Sequence, residues 1–199
     1  MAQKKLSTLL KSEKISVEKV SQARAESNWN MLATELHFLC GVRADIAHFA
    51  KNGKRVQIID SIELGDEITG GGRYLVQPPL VGRDAGIIHG ALRERGWAAI
   101  VLCREPLTSL GLCPIVALGS GVIVRVQIEE PKNPSKPTCA WFDHAIVELG
   151  EHVLSKTDKN STSQRQLDYL LAHLPAVSIC PSIYGAGIAL CRTLCEEGS

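Results

Sequence analysis

The stretch RYLVQPPLVGRDAGIIHG, Arg73 to Gly90, joins an apolar run, a double proline, a glycine, an aspartate and a helical pattern. A strand-to-helix turn of this kind gathers unpaired backbone N–H groups and the positive end of a helix dipole at one place, which suits an anion. Gly82 would let a ligand approach and Arg83 would add charge. Asp84, in the first helical turn, can instead cap the same N–H groups, and its carboxylate repels phosphate. The segment contains neither GxGxxG nor GxxxxGK[ST], so a structural corner is favoured over an anion site.

CREP, Cys103 to Pro106, follows the most apolar run of the chain. Ligands of open α/β sheets sit at the carboxyl ends of parallel strands. Arg104 and Glu105 therefore join Gly82, Arg83 and Asp84 as the candidate ligand-binding set, against the plainer reading of a mutual ion pair or two solvated charges. The glycines Gly70–Gly72 could form an anion nest. A flexible joint between a helical and an α/β part is the favoured alternative, because the composition shifts there.

Cys113 and His144 invite a thiol–imidazole reading, but Cys113 enters a strand rather than opening a helix whose dipole would lower its pKa. His144 falls beside an apolar stripe with Glu148 and Glu151, an ordinary solvent-facing position. Cys191 and Cys195 share a helix face, yet CxxC, HxxxH and HExxH are all missing, and core packing accounts for them better. These residues assign no catalytic group, no cofactor and no metal.

The wider composition sets the context. With Lys+Arg 22 and Asp+Glu 21 the net charge is +1, so no global field favours nucleic acid or an acidic membrane. The tryptophans Trp29, Trp97 and Trp141 begin or anchor apolar runs, as core residues do. No apolar run is long enough to span a bilayer, and the first residues lack a signal-peptide core. Seven cysteines without framework spacing point to a reducing compartment. The expectation is a cytoplasmic protein that binds neither nucleic acid nor membrane.

The elements that must position these residues follow from periodicity. Residues 1–15 suggest a marginal helix or frayed tail, with Ser16 as an N-cap behind it. Ser27 is a second cap, ahead of the stripe Trp29, Leu32, Ala33, Leu36, Leu39 and Cys40. A further short stripe, Val42, Ile46, Phe49 and Ala50, ends at Asn52-Gly53, a left-handed stop. Val56, Ile59 and Ile62 continue at helical spacing, a strand through RVQIID being the competing reading.

Beyond the Gly-rich loop 65–72, RYLVQ reads as a strand, GRDAGIIHGALRERG as a helix with Ile87, Ile88, Ala91 and Leu92 inward and Gly96 closing it, and WAAIVLC as a strand buried on both faces. CPIVALG and VIVRVQIEE are two further strands joined by a hairpin at Gly119–Gly121. After PKNPSKP come three helical stripes, through Phe142 and Leu149, Leu167 and Leu174, and Tyr184 and Leu194.

The fold expected is thus mixed α/β. A sheet of about four strands (73–77, 97–103, 113–118 and 121–129) with a crossover helix lies between N- and C-terminal helical hairpins. The segments are 1–64, 65–137 and 138–199, within one compact unit. The function expected first is a non-catalytic interaction or scaffold module that takes a protein or peptide partner, since amphipathic helices at both ends offer grooves. The alternative is a small anion-binding protein or enzyme using Gly82, Arg83, Asp84, Arg104 and Glu105.

Overall fold

The computed structural model describes residues 2–63 and 67–197. The expected boundary at 64/65 and the start of the Gly-rich loop lie outside the described residues. In chain order the elements are α1 (Ala2–Ala25), α2 (Trp29–Lys51), β1 (Val56–Ile59), β2 (Gly72–Val76), α3 (Gly82–Glu94), β3 (Ala99–Arg104), β4 (Cys113–Gly119), β5 (Val122–Ile128), α4 (Cys139–Ser155), α5 (Ser163–His173) and α6 (Pro181–Glu197).

The strands form one five-stranded mixed sheet in the order β1-β2-β3-β4-β5. β1, β2 and β3 run parallel, and β4 and β5 are antiparallel to their neighbours. Alternation along the strands divides the side chains between two cores. Leu75, Ile100, Leu102, Ile115, Val124 and Val126 face a large core shared with α1, α2, α4, α5 and α6. Tyr74, Val76, Ala99, Cys103 and Val116 face the smaller core under α3. The terminal helices therefore lie in one layer on one face, and α3 covers the other.

Turn chemistry sets the joints. Ser120 (φ 48°) and Gly121 (φ 82°) are successive left-handed residues, the conformation of a two-residue type I′ hairpin. Gly96 (φ 75°) closes α3. Its N–H reaches the Arg93 carbonyl at 2.9 Å, and the Trp97 N–H reaches the Leu92 carbonyl at 3.0 Å. Thr138 and Thr162 cap α4 and α5, accepting from the N–H groups of Trp141 and Arg165.

Several local expectations change in the structure. Val56–Ile59 is a strand, so the sheet has five strands rather than four. Val56 enters the large core and Ile59 the small one, and a strand buried on both faces mimics the three-residue spacing of a helix. Residues 2–25 form one continuous helix. Ser16 is not its cap but a buried pin whose hydroxyl donates to the Glu35 carboxylate at 3.2 Å. The two stripes of residues 29–50 are one helix, α2, capped by Asn28 rather than Ser27.

The end of α2 is not the left-handed stop read from Asn52-Gly53, because Asn52 is right-handed (φ −64°). A side chain from β2 serves the free carbonyls instead. Arg73 donates to the Lys51 carbonyl at 3.0 Å and the Gly53 carbonyl at 3.1 Å, and its other nitrogens grip Asp143 of α4 at 2.9 and 3.1 Å. In α3 Leu92 and Ile88 face the small core as expected, joined by Ala85, whereas Ile87 is 60% exposed.

The glycine run before β2 serves a close approach. A Cβ on Gly71 would lie 2.3 Å from the Ala98 carbonyl oxygen, a backbone atom that cannot swing aside. Gly71→Ala is expected to destabilise by about 1–3 kcal/mol through forced separation of β2 from the start of β3. Urea denaturation should show a lower midpoint with an unchanged slope.

Candidate functional site: a cleft where the sheet forks

The candidate set near Gly82 is distributed as follows. Gly82 packs its bare face on the sheet, where a Cβ would come 3.2 Å from Leu118. Arg83 is exposed. Asp84 accepts from the Val81 N–H at 2.8 Å and so caps α3. Arg104 donates to the Pro134 carbonyl at 3.2 Å and to Gln77. Glu105 pairs with Arg125 at 2.7 Å, not with Arg104. Burial, and then the charges of Glu105 and Asp84, push the Cys103 thiol up to about 12. The structure thus places Asp84 and Glu105 near the carboxyl end of β3, where Glu105 is neutralised by Arg125 and Arg104 is engaged by Gln77 and the Pro134 carbonyl.

A second polar cluster lies at the opposite end of β3. β3 and β4 pair only through Cys103–Val116 and Arg104–Ile115. Towards Ala99 and Gly119 the two strands part. The fork is closed by the segment 175–180, which crosses so near that a Cβ on Gly119 would meet the Pro175 carbonyl carbon at 2.2 Å. The space left is a cleft with two lobes that share His89, Leu118, Pro175 and Ile179. The polar lobe, about 240 Å³, adds Glu13, Arg43 and Arg93. The apolar lobe, about 50 Å³, adds Leu102, Ile146, Leu149 and Cys180.

Four helices supply the polar groups. Glu13 of α1 is only 7% exposed. It accepts from Arg43 Nε of α2 at 2.8 Å and, through its other oxygen, from Arg93 of α3. Arg43 also donates to the Tyr184 hydroxyl of α6 at 2.9 Å, and that hydroxyl donates to the Ser178 carbonyl at 2.7 Å. Arg93 thus reaches from the helix under the sheet to the helical layer above it, past the open end of the fork.

Burial would raise the Glu13 carboxyl, but the Arg93 and Arg43 cations outweigh it and hold the group below its ordinary 4.5. His89 is driven below its ordinary 6.5 by burial and then by the Arg93 charge, opposed by Glu13 and a hydrogen bond with the Ala99 backbone. At neutral pH the imidazole is uncharged and able to exchange hydrogen bonds with a ligand. Burial, partly offset by Arg43, pushes the Tyr184 phenol up to about 12. Arg43 and Arg93 against Glu13 leave one positive charge in excess among the charged groups lining the polar lobe.

The buried thiols, like the Tyr184 phenol, are held in their protonated form. Burial pushes Cys113 and Cys191 up to about 11 and Cys180 up to about 12. Cys113 is fully buried, whereas His144 is exposed and stands 3.8 Å from Glu148. Cys191 packs in the large core.

Periodicity held a signal for the cluster. Glu13 falls in the stripe Leu6, Ser16, Val20, Ala23, and Arg43 in the stripe Leu36, Leu39, Ile46, Ala50, all buried. His89 sits one turn from Ala85 and Leu92. A charged or titratable residue inside an apolar stripe must find a buried partner, although the partners here lie 30 and 80 residues away.

The site and the sheet define a mixed α/β protein with a cationic cleft between diverging strands. No family model, curated protein sequence or solved structure matches the chain. Among the described residues no helix is long and apolar enough to cross a membrane.

Proposed function

We propose that the chain is a binding protein for a small organic anion, held in the β3–β4 fork. The observation that carries this reading is the excess guanidinium charge facing a cavity of about 240 Å³. A cavity of that size suits a small molecule rather than a nucleotide. The anionic end, a carboxylate or phosphate, would meet Arg93, which is 30% exposed on its side chain and can rotate a planar donor pair towards it. Neutral His89 would supply a further hydrogen bond, and a short apolar tail would enter the lobe beside Ile146 and Leu149. The site lies at the other end of β3 from Gly82, Arg83, Asp84, Arg104 and Glu105.

The test is a thermal-shift and calorimetric screen with short-chain carboxylates and inorganic phosphate, repeated on Arg93→Gln. An anion at a hundred times its Kd adds about 2.7 kcal/mol, a rise in Tm of roughly 5–11 °C for a chain of this size. The rise should vanish in Arg93→Gln. No rise with any anion, or an equal rise in the variant, would refute the reading. A second reading, an interaction module for a protein segment, is favoured by a separate feature at the edge of the sheet.

A further inference from the structure

We propose that the outer edge of β1 is a docking site for an extended acidic peptide segment, which adds to the sheet as a sixth strand. β1 is the terminal strand of the sheet and, among the described residues, pairs with β2 alone. Its other edge opens into a groove of about 760 Å³ between Lys54–Ile58 and Ser135–Cys139. At the far edge, β5 packs one face on α4, Trp141 Nε1 donates to the Glu129 carbonyl just beyond the strand at 2.9 Å, and the strand's one cation, Arg125, is paired with Glu105 at 2.7 Å. A sheet edge presents a row of backbone donors and acceptors, and pairing with an added strand satisfies them along its length, about 13 Å for four residues.

Charge specifies the occupant. Lys54, Arg55 and Lys136 line the groove, are exposed, and have no carboxylate partner among the described residues. Among the described residues no acidic side chain lines it. The neighbouring Lys51, by contrast, is paired with Asp143 at 3.8 Å. Cations left unpaired along one groove are complementary to a segment bearing Glu or Asp, and such complementarity sets both association rate and partner choice. Asp60, just beyond the carboxyl end of β1, disfavours a carboxylate there. The acidic residues of the bound segment therefore lie towards Lys54 and Arg55.

A fluorescein-labelled octapeptide of alternating Val and Glu is the probe, followed by polarisation and by amide hydrogen exchange of the whole protein. Binding is expected, with slowed exchange confined to residues 54–59 and 135–139. Affinity should fall at least tenfold in Lys54→Glu/Arg55→Glu, whose exposed positions leave the fold intact, and should also fall as salt rises. Arg93→Gln should leave peptide binding unchanged, so failure at this edge and failure of the anion cleft can be told apart. The proposal is overturned if the peptide does not bind, if a Val/Lys octapeptide binds equally well, if protection appears elsewhere, or if an oligouridylate binds tighter than the peptide. It is also overturned if sedimentation shows a dimer and amide exchange at residues 54–59 is already slow in it without peptide.

Discussion

Glu13→Ala should destabilise the protein by about 3–5 kcal/mol, because it leaves two guanidinium groups facing one another without their counter-ion. The carboxylate and Arg43 side chains are 10% and 11% exposed, so water cannot replace the lost partner cheaply. The loss also unfastens α1 from α3, since Glu13 is the group by which Arg93 is tied across the sheet. Glu13→Gln keeps an acceptor and should cost less. Chemical denaturation of both variants, and of the double variant with Arg93→Gln, checks the argument. Removing both partners should cost less than the sum of the single losses.

The same cluster sets the response to acid. Glu13 and His89 both have folded pKa values below their ordinary 4.5 and 6.5. In each case the unfolded chain binds the proton more readily, so the stabilising contribution is complete above the ordinary value and is lost as pH falls through the folded one. Stability should therefore decline first below about pH 6.5 through His89, and again below about pH 4.5 through Glu13. In His89→Asn the first decline should disappear while the second remains. Midpoints of urea denaturation between pH 8 and pH 3 report both.

Arg73→Leu is the second large effect, with an expected loss of about 3 kcal/mol, within the cost of leaving carbonyl groups without donors. Its side chain is 7% exposed and gathers the end of α2, β2 and α4. Leucine fills the space but offers no donor to the Lys51 and Gly53 carbonyls. Asp143→Asn should be milder, because Asp143 is 35% exposed and asparagine still accepts from Arg73. Amide exchange should quicken in the last turn of α2 and in β1 for Arg73→Leu. If exchange in α2 is unaltered, Arg73 is not its terminator.

Local pattern carried much of this fold. The runs at Leu75, Ile100, Ile115 and Val124 became the four strands expected, and the stripes through Leu36, Phe142, Leu167 and Tyr184 became helices. These features are legible because side-chain periodicity follows backbone geometry over a few residues. β1 was ambiguous because burial on both faces abolishes alternation, and Val56 and Ile59 then share the spacing of a helix. Gly82, Arg83 and Asp84 mark a helix N-terminus and Arg104 and Glu105 a strand carboxyl end, the two places where local pattern points to an anion. The fork lies at the other end, and nothing in the local pattern announces that β3 and β4 part after two residue pairs.

By itself, then, the sequence determined the apolar faces, the hairpin at Ser120-Gly121, the stop at Gly96 and the mixed α/β class, all consequences of interactions between near neighbours. Tertiary structure alone decided that Glu13, Arg43, His89, Arg93 and Tyr184 meet, that Arg73 ends α2, and that β1 is left as an open edge. The physical reason is distance along the chain. A buried charge requires a partner, but which partner is settled by how layers pack, and packing joins residues such as Glu13 and Arg93 that are 80 apart.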